Sequence, residues 1–251
     1  MKVALVGATG FIGSKILEEA ASRGHIVTGL CRHPAKVLQH ENVHPVFADV
    51  MDTAALQKLF AGQDVIVHSY SPPFDLELRA EANEFVARMA AQGKAPMEAF
   101  SLFRPSDPAA HQADVQARIE AQTAATRSII RAARGAGVRR IFAVGGAGTL
   151  LLNGVRTMDR PDFPVAFEGG AKSTAVVKEL LREQTGLDWT VLCPPMLIRP
   201  GERTGKFRLG FDDLLTAPDG SSRISVEDFA VAFVDELETP KHIGRRFTVA
   251  Y

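Results

Sequence analysis

The chain is poor in cysteine: Cys31 and Cys193 are its only two, far apart and without CxxC spacing. That excludes a disulfide framework and points to a reducing compartment, with each thiol read as a small buried residue near a strand end. Neither sign of charge is in excess, with Lys+Arg and Asp+Glu at 29 each. No field therefore invites nucleic acid or an anionic membrane, and neither partner is expected. Long hydrophobic runs are missing too. The most apolar extended stretch, residues 141–152, is interrupted by Gly145, Gly146 and Gly148 and falls short of a bilayer span. The opening residues 1–6 run directly into Gly7, too short for a signal-peptide core, so a cytoplasmic location is expected. Only two tyrosines, Tyr70 and Tyr251, are present, a scarcity that bears on chemistry below. No metal-ligating constellation stands out.

What the chain does have is 251 residues, 46% of them hydrophobic, with no internal repeat, low-complexity tract or linker composition. One large core is expected, residues 1–251 forming a single α/β domain. Short β-branched runs at 3–6, 26–30, 43–47, 65–68, 140–144, 188–193 and 246–250 read as strands. Helical patterns at 11–23, 53–60, 111–136, 173–184 and 226–237 alternate with them. That alternation predicts a Rossmann-type, doubly wound parallel sheet. Pro194-Pro195 should end the sixth strand, because proline cannot donate to a central ladder. Two stretches break the rhythm. Residues 71–110 form an insertion holding one amphipathic helix (Leu78, Ala82, Phe85 and Met89 on one face) and a mobile-looking stretch from Gly93 to Pro108. Residues 145–171 read as a long loop. Both follow the carboxyl ends of parallel strands, where such sheets place ligands. The insertion is expected either to cap the site as a lid or to pack on a second subunit of a homodimer.

The first strand leads straight into Gly7-Ala8-Thr9-Gly10-Phe11-Ile12-Gly13, and the first helix follows. Gly7 permits the tight turn, Gly10 lets a pyrophosphate approach the backbone, and Gly13 lets helix and sheet pack closely. The helix N-terminus then offers N–H groups and partial positive charge to phosphates, and the Thr9 hydroxyl can add a donor. A glycine triplet is weak evidence alone, but the strand–turn–helix setting makes it a dinucleotide signature. Arg32 stands nineteen positions after Gly13, at the end of the second strand, and no Asp or Glu lies between Gly24 and Gln39. A cation there suits the 2′-phosphate of NADP, whereas NAD sites carry a carboxylate for the ribose hydroxyl; NADP is favoured, with NAD still possible. Asp49 can accept from the adenine amino group with Val50 beside it; alternatively it caps the helix near Thr53. The nicotinamide is expected against residues after the fourth, fifth and sixth strands: His68, Ser69, Tyr70, Gly145, Gly146 and Pro194.

These features together resemble the atypical NAD(P)H-binding branch of the short-chain dehydrogenase/reductase superfamily. Gly7 to Gly13, Arg32, Ala48-Asp49-Val50 and Gly137-Val138-Arg139-Arg140-Ile141 leading into Val144-Gly145-Gly146-Ala147-Gly148 carry the likeness. Leu187-Asp188-Trp189-Thr190-Val191-Leu192, Pro194-Pro195 and Ile224-Ser225-Val226-Glu227-Asp228-Phe229-Ala230 extend it, and Arg203-Thr204-Gly205-Lys206-Phe207-Arg208 narrows it to the NADH-flavin reductase group. Only residues 75–110 fall outside the likeness. Ordinary members use a Tyr-x-x-x-Lys pair on the helix after the fifth strand, whose phenol exchanges a proton with substrate. This chain has Phe167-Glu168-Gly169-Gly170-Ala171-Lys172 there and no phenol. The resemblance thus implies an NADPH-dependent reductase passing hydride to a small acceptor, a flavin or quinone, whose proton can come from water. A non-catalytic NADP redox sensor is the alternative, and a nucleotide-sugar epimerase a distant third. No catalytic residue is assigned.

Overall fold

The computed structural model describes residues 1–73 and 76–251; residues 74 and 75 of the expected insertion lie outside the described residues. In chain order the elements are β1 (Lys2–Val6), α1 (Phe11–Ser22), β2 (Ile26–Cys31), β3 (Val43–Phe47), α2 (Thr53–Phe60), β4 (Val65–His68), α3 (Leu76–Ala90), α4 (Pro96–Leu102) and α5 (Pro108–Gly135). There follow β5 (Arg140–Val144), β6 (Leu151–Leu152), β7 (Val155–Arg156), α6 (Glu168–Arg182), β8 (Asp188–Cys193), β9 (Leu197–Arg199), β10 (Arg208–Gly210), β11 (Arg223–Ser225), α7 (Val226–Glu238) and β12 (Arg245–Ala250).

The main sheet runs β10-β12-β8-β5-β4-β1-β2-β3, parallel throughout except for the antiparallel edge strand β10. This is the Rossmann-like, mostly parallel arrangement expected, with the helical segment α3–α5 inserted after β4. Strands buried on both faces read as continuous apolar runs, as in Val65-Ile66-Val67 and Ile141-Phe142-Ala143, all at most 2% exposed. On one face α1 and α7 bury Ile16, Leu17, Phe229 and Phe233. Phe233 stacks on Phe142 of β5 with ring centroids 3.6 Å apart. On the other, α2, α5 and α6 bury Leu56, Phe60, Ile129 and Leu181. β1 pairs with β2 on one side and β4 on the other, so the strand order reverses there and a crevice opens at their carboxyl ends.

Four expectations need correction. The stretch 93–108 is not a bare loop: α4 forms in it, anchored by buried Ala99 and Phe103, with Phe103 edge-on to Phe85 at 5.8 Å. The residues 145–171 hold 3₁₀ turns and the β6–β7 hairpin rather than one irregular loop. α6 begins at Glu168, five residues earlier than the pattern suggests, because buried Gly169 and Ala171 seat its first turn. α5 begins at Pro108 under an Asp107 cap, whose carboxylate accepts from the N–H groups of Ala109 and Ala110. The expected apolar face of α3 holds: Ala82 is buried, and Leu78, Phe85 and Met89 are half-buried. Among the described residues no helix is long and apolar enough to cross a membrane. Cys31 and Cys193 are free and buried at the ends of β2 and β8.

Candidate functional site

The β1–α1 turn is built by its glycines. Gly7 takes φ +94°, a conformation open chiefly to glycine, and its N–H donates to Leu30 O at 3.0 Å. A Cβ on Gly7 would lie 2.5 Å from Ser69 O, and one on Gly13 would lie 2.2 Å from Gly7 O. Both are glycine because the chain itself fills the space. Gly10 differs: it is the N-cap of α1 with no side-chain cap, and a Cβ there meets only the turn, 3.2 Å from Gly7 O. Thr9, Gly10 and Phe11 are exposed, Ile12 packs against the core, and no acidic residue stands in the first turn of α1. The amide end of this helix is left for an anion.

Arg32, just beyond β2, is exposed and has no hydrogen-bond partner among the described residues. Asp49 is exposed; its Oδ1 accepts from Met51 N–H at 2.9 Å, while Asp52, not Asp49, caps α2 through Ala55 N–H at 2.9 Å. The capping alternative for Asp49 is therefore excluded. Val50 is buried beside it. Half-buried Tyr70 gathers these groups: burial raises its hydroxyl pKa, the charges of Arg32 and Arg118 oppose that, and Asp49 adds to it. The carboxyl ends of β2, β3 and β4 thus converge on one electrostatic neighbourhood.

On the other side of the crevice, the side chains serve the core. His68 is 1% exposed and its Nε2 lies 3.0 Å from Thr126 Oγ1 on α5; burial pulls its pKa down to about 4, so the imidazole is neutral. Ser69 donates its N–H to Val6 O at 2.9 Å, closing the crevice floor between β1 and β4. A Cβ on Gly145 would lie 2.7 Å from Cys193 Sγ, and one on Gly146 would lie 2.2 Å from Thr174 Oγ1. These glycines let the exit of β5 pass against β8 and α6. Pro194 is buried at the end of β8.

The sequence reading assigned no role to Glu168, yet it centres a polar cluster at the start of α6. Its Oε1 accepts from Lys172 Nζ at 2.5 Å, and its Oε2 lies 3.1 Å from both His111 Nε2 and Gln112 Nε2. Burial would raise its pKa, but the hydrogen bonds from Lys172 and His111 outweigh that and hold the carboxyl below its ordinary value. The four-residue spacing of Glu168 and Lys172 was the available signal; Gly169-Gly170 between them obscured it. A Cβ on Gly169 would come 3.1 Å from Arg118 Nε, and Arg118 in turn sits within range of Tyr70. The cluster therefore adjoins the crevice.

The 203–208 motif is a clasp. Asp228 in the first turn of α7 accepts from Thr204 N–H at 2.8 Å, Gly205 N–H at 2.7 Å and the Tyr251 hydroxyl at 2.8 Å. Arg203 donates through two nitrogens to Glu19 of α1, at 2.8 and 2.7 Å. Tyr251 is thereby committed to the fold, and the sequence of α6 contains no tyrosine.

Residues 7–238 match the family model described as NAD(P)H-binding. Uncharacterized protein YwnB of Bacillus subtilis is 32% identical over 253 residues, covering 99% of this chain and 98% of that protein. A solved structure from Burkholderia pseudomallei, titled a "putative exported protein", is 37% identical with a TM-score of 0.73, covering 100% of both chains. The "putative NADH-flavin reductase" of Streptococcus pneumoniae is 27% identical with a TM-score of 0.69, covering 100% of this chain and 99% of that one. With the glycine turn, the sheet order and these likenesses together, the chain belongs to the NAD(P)H-binding family, built on a Rossmann-like fold.

Proposed function

We propose that the protein is an NADPH-dependent reductase that passes hydride directly to a flavin, quinone or similar small acceptor. When bound, the reduced nicotinamide supplies the hydride, two electrons and a proton, and the acceptor's second proton comes from water. The residues fit such a cofactor. The uncapped end of α1, from Thr9 to Gly13, would hold the pyrophosphate, and unpartnered Arg32 the 2′-phosphate. Asp49 and Val50 would flank the adenine. Ser69, Tyr70, Gly145, Gly146 and Pro194 would border the nicotinamide, with His68 contributing backbone alone.

One observation carries the choice of chemistry. Where a phenol would donate a proton on α6, the chain has a carboxylate already holding bonds from Lys172, His111 and Gln112. A carboxyl held below its ordinary pKa is a poor acid at neutral pH, so reactions needing a protein proton donor are disfavoured here. Ring acceptors need only orientation and proximity. The name of the Streptococcus pneumoniae relative points the same way. We read residues 1–251 as one domain working in a reducing cytoplasm, which the two free, buried thiols suit.

The test is NADPH oxidation followed at 340 nm with menadione, FMN, riboflavin and dichlorophenol-indophenol as acceptors. Turnover with any of them supports the reductase. Tight NADPH binding without turnover across the panel overturns it in favour of a redox sensor.

A further inference from the structure

A cavity of about 520 Å³ opens between α4, the loops that follow β5 and β8, and residues 214–222. Its walls include the half-buried side chains of Met97, Leu152, Phe163 and Met196. Met196 directly follows Pro194-Pro195 at the end of β8, and Leu152 follows the Gly145-Gly146 turn at the end of β5. Two walls thus continue the strand ends assigned above to the nicotinamide side. The third wall comes from the insertion. It is fixed in place because Phe100 of α4 packs on Phe167 with ring centroids 4.8 Å apart, one residue before Glu168.

The charge on this cavity is one-sided. Glu98, Asp162 and Asp219 line it, and Arg160 is the one lysine or arginine among the described lining residues. Arg160 is already spent on Asp162, donating to both carboxylate oxygens at 3.0 and 3.1 Å. Lys94 engages Glu98 from outside the lining at 2.5 Å, and the exposed carboxylate of Asp219 accepts from Ser221 N–H at 2.9 Å with the charge of Arg223 acting on it, again from outside the lining. A phosphate entering here would find carboxylates and no unpaired guanidinium or ammonium among the described lining residues. An uncharged ring would find thioether and aromatic walls that favour flat apolar ligands.

Resting on the reductase reading, we propose that this cavity is the acceptor pocket and that it takes an uncharged planar acceptor of the quinone class and rejects phosphorylated flavins. Selectivity of this kind comes from repulsion as much as from attraction. A phosphate at this lining meets carboxylates and no free lining cation to hold it, and beside a solvent-exposed carboxylate the screened repulsion weakens binding by about threefold.

Equilibrium dialysis of menadione, riboflavin and FMN against the protein, with NADPH-coupled turnover in parallel, tests this. Menadione and riboflavin should bind, FMN about threefold or more weakly than riboflavin. Asp219→Asn should narrow the FMN–riboflavin gap and leave menadione unchanged. Met97→Trp should fill the cavity and remove menadione binding while NADPH titration stays unchanged. Leu152→Trp, from the opposite wall, repeats the test should the first variant misfold. FMN binding as tightly as riboflavin, or menadione binding undisturbed in both tryptophan variants, overturns the pocket. If those results come with turnover, the reductase reading stands without it. Menadione bound at the cavity with no turnover of any acceptor in the panel sinks the reductase reading and leaves the pocket.

Discussion

Replacing Gly13 by Ala puts a methyl carbon 2.2 Å from Gly7 O and 3.1 Å from Gly7 C. Both atoms are backbone, and Gly7 is itself pinned by its 3.0 Å bond to Leu30 O and by Ser69 behind it. A carbon–oxygen contact relaxes near about 3.3 Å, so α1 must move off the sheet by roughly 1 Å. Overpacking of this sort costs about 1–3 kcal/mol, and a rigid backbone neighbour puts the change near the upper figure. At about 2–4 °C per kcal/mol for a chain of this size, Tm should fall by roughly 6–10 °C. Gly10→Val is the contrasting change. Gly10 has φ −74° and ψ 164°, open to any residue, and a Cβ there comes no nearer than 3.2 Å to Gly7 O and 4.0 Å to Ser69 O. Tm should therefore drop by less than about 4 °C, while the side chain blocks the phosphate approach and NADPH affinity falls by at least about a hundredfold. Circular-dichroism melts paired with calorimetric NADPH titrations read both effects. A Gly13→Ala protein melting with the wild type, or Gly10→Val binding NADPH unimpaired, refutes the assignment of one glycine to packing and the other to ligand.

Local rules carried most of the fold. β3, β4, β5 and β8 lie where the β-branched runs end, and Thr53–Phe60 is the helix its apolar spacing predicts. The glycine turn is equally legible, since each glycine has a separate steric reason that position alone implies. What escaped has contacts distant in sequence or punctuation that misleads. α4 opens on Pro96 and is flanked by Gly93 and Pro105, so it reads as a loop until Ala99 and Phe103 find burial against the insertion. Gly169-Gly170, poor helix formers, hide the first turn of α6 in the sequence, and Gly169 is tolerated there because Arg118 and Val115 of α5 crowd that position. β10 and the 203–208 clasp depend on Tyr251, Asp228 and Glu19, and no window of local sequence contains those partners together. The glycine turn on which the proposed cofactor site rests follows a positional motif and is legible; the lining of the proposed acceptor pocket comes from α4 and three separate loops, which no local window brings together.

Further tests follow from the same geometry. His68, with a pKa pulled to about 4 from an ordinary 6.5, takes up its proton only on unfolding across that window, so stability falls as pH drops and about 3 kcal/mol is lost between pH 7 and pH 4. His68→Gln should flatten that slope in urea melts, and unchanged slopes would remove the buried-neutral assignment. Asp228→Ala strips the acceptor from Thr204, Gly205 and Tyr251 and should destabilise by about 3 kcal/mol while leaving NADPH affinity near wild type. No oxidation of simple secondary alcohols with NADP⁺ is expected; turnover abolished by Glu168→Gln or Lys172→Ala would reveal a proton route through that cluster. The last prediction concerns the nucleotide preference. Arg32 is exposed and holds no partner among the described residues, so its removal breaks no internal bond and should not move Tm. A charge-assisted bond to a 2′-phosphate contributes about 1.5–3 kcal/mol, and NADH has no such phosphate. Arg32→Ala should therefore weaken NADPH by about 10- to 150-fold and leave NADH almost unchanged. Equal losses for both nucleotides in parallel titrations would mean that Arg32 steadies the crevice rather than reading the phosphate.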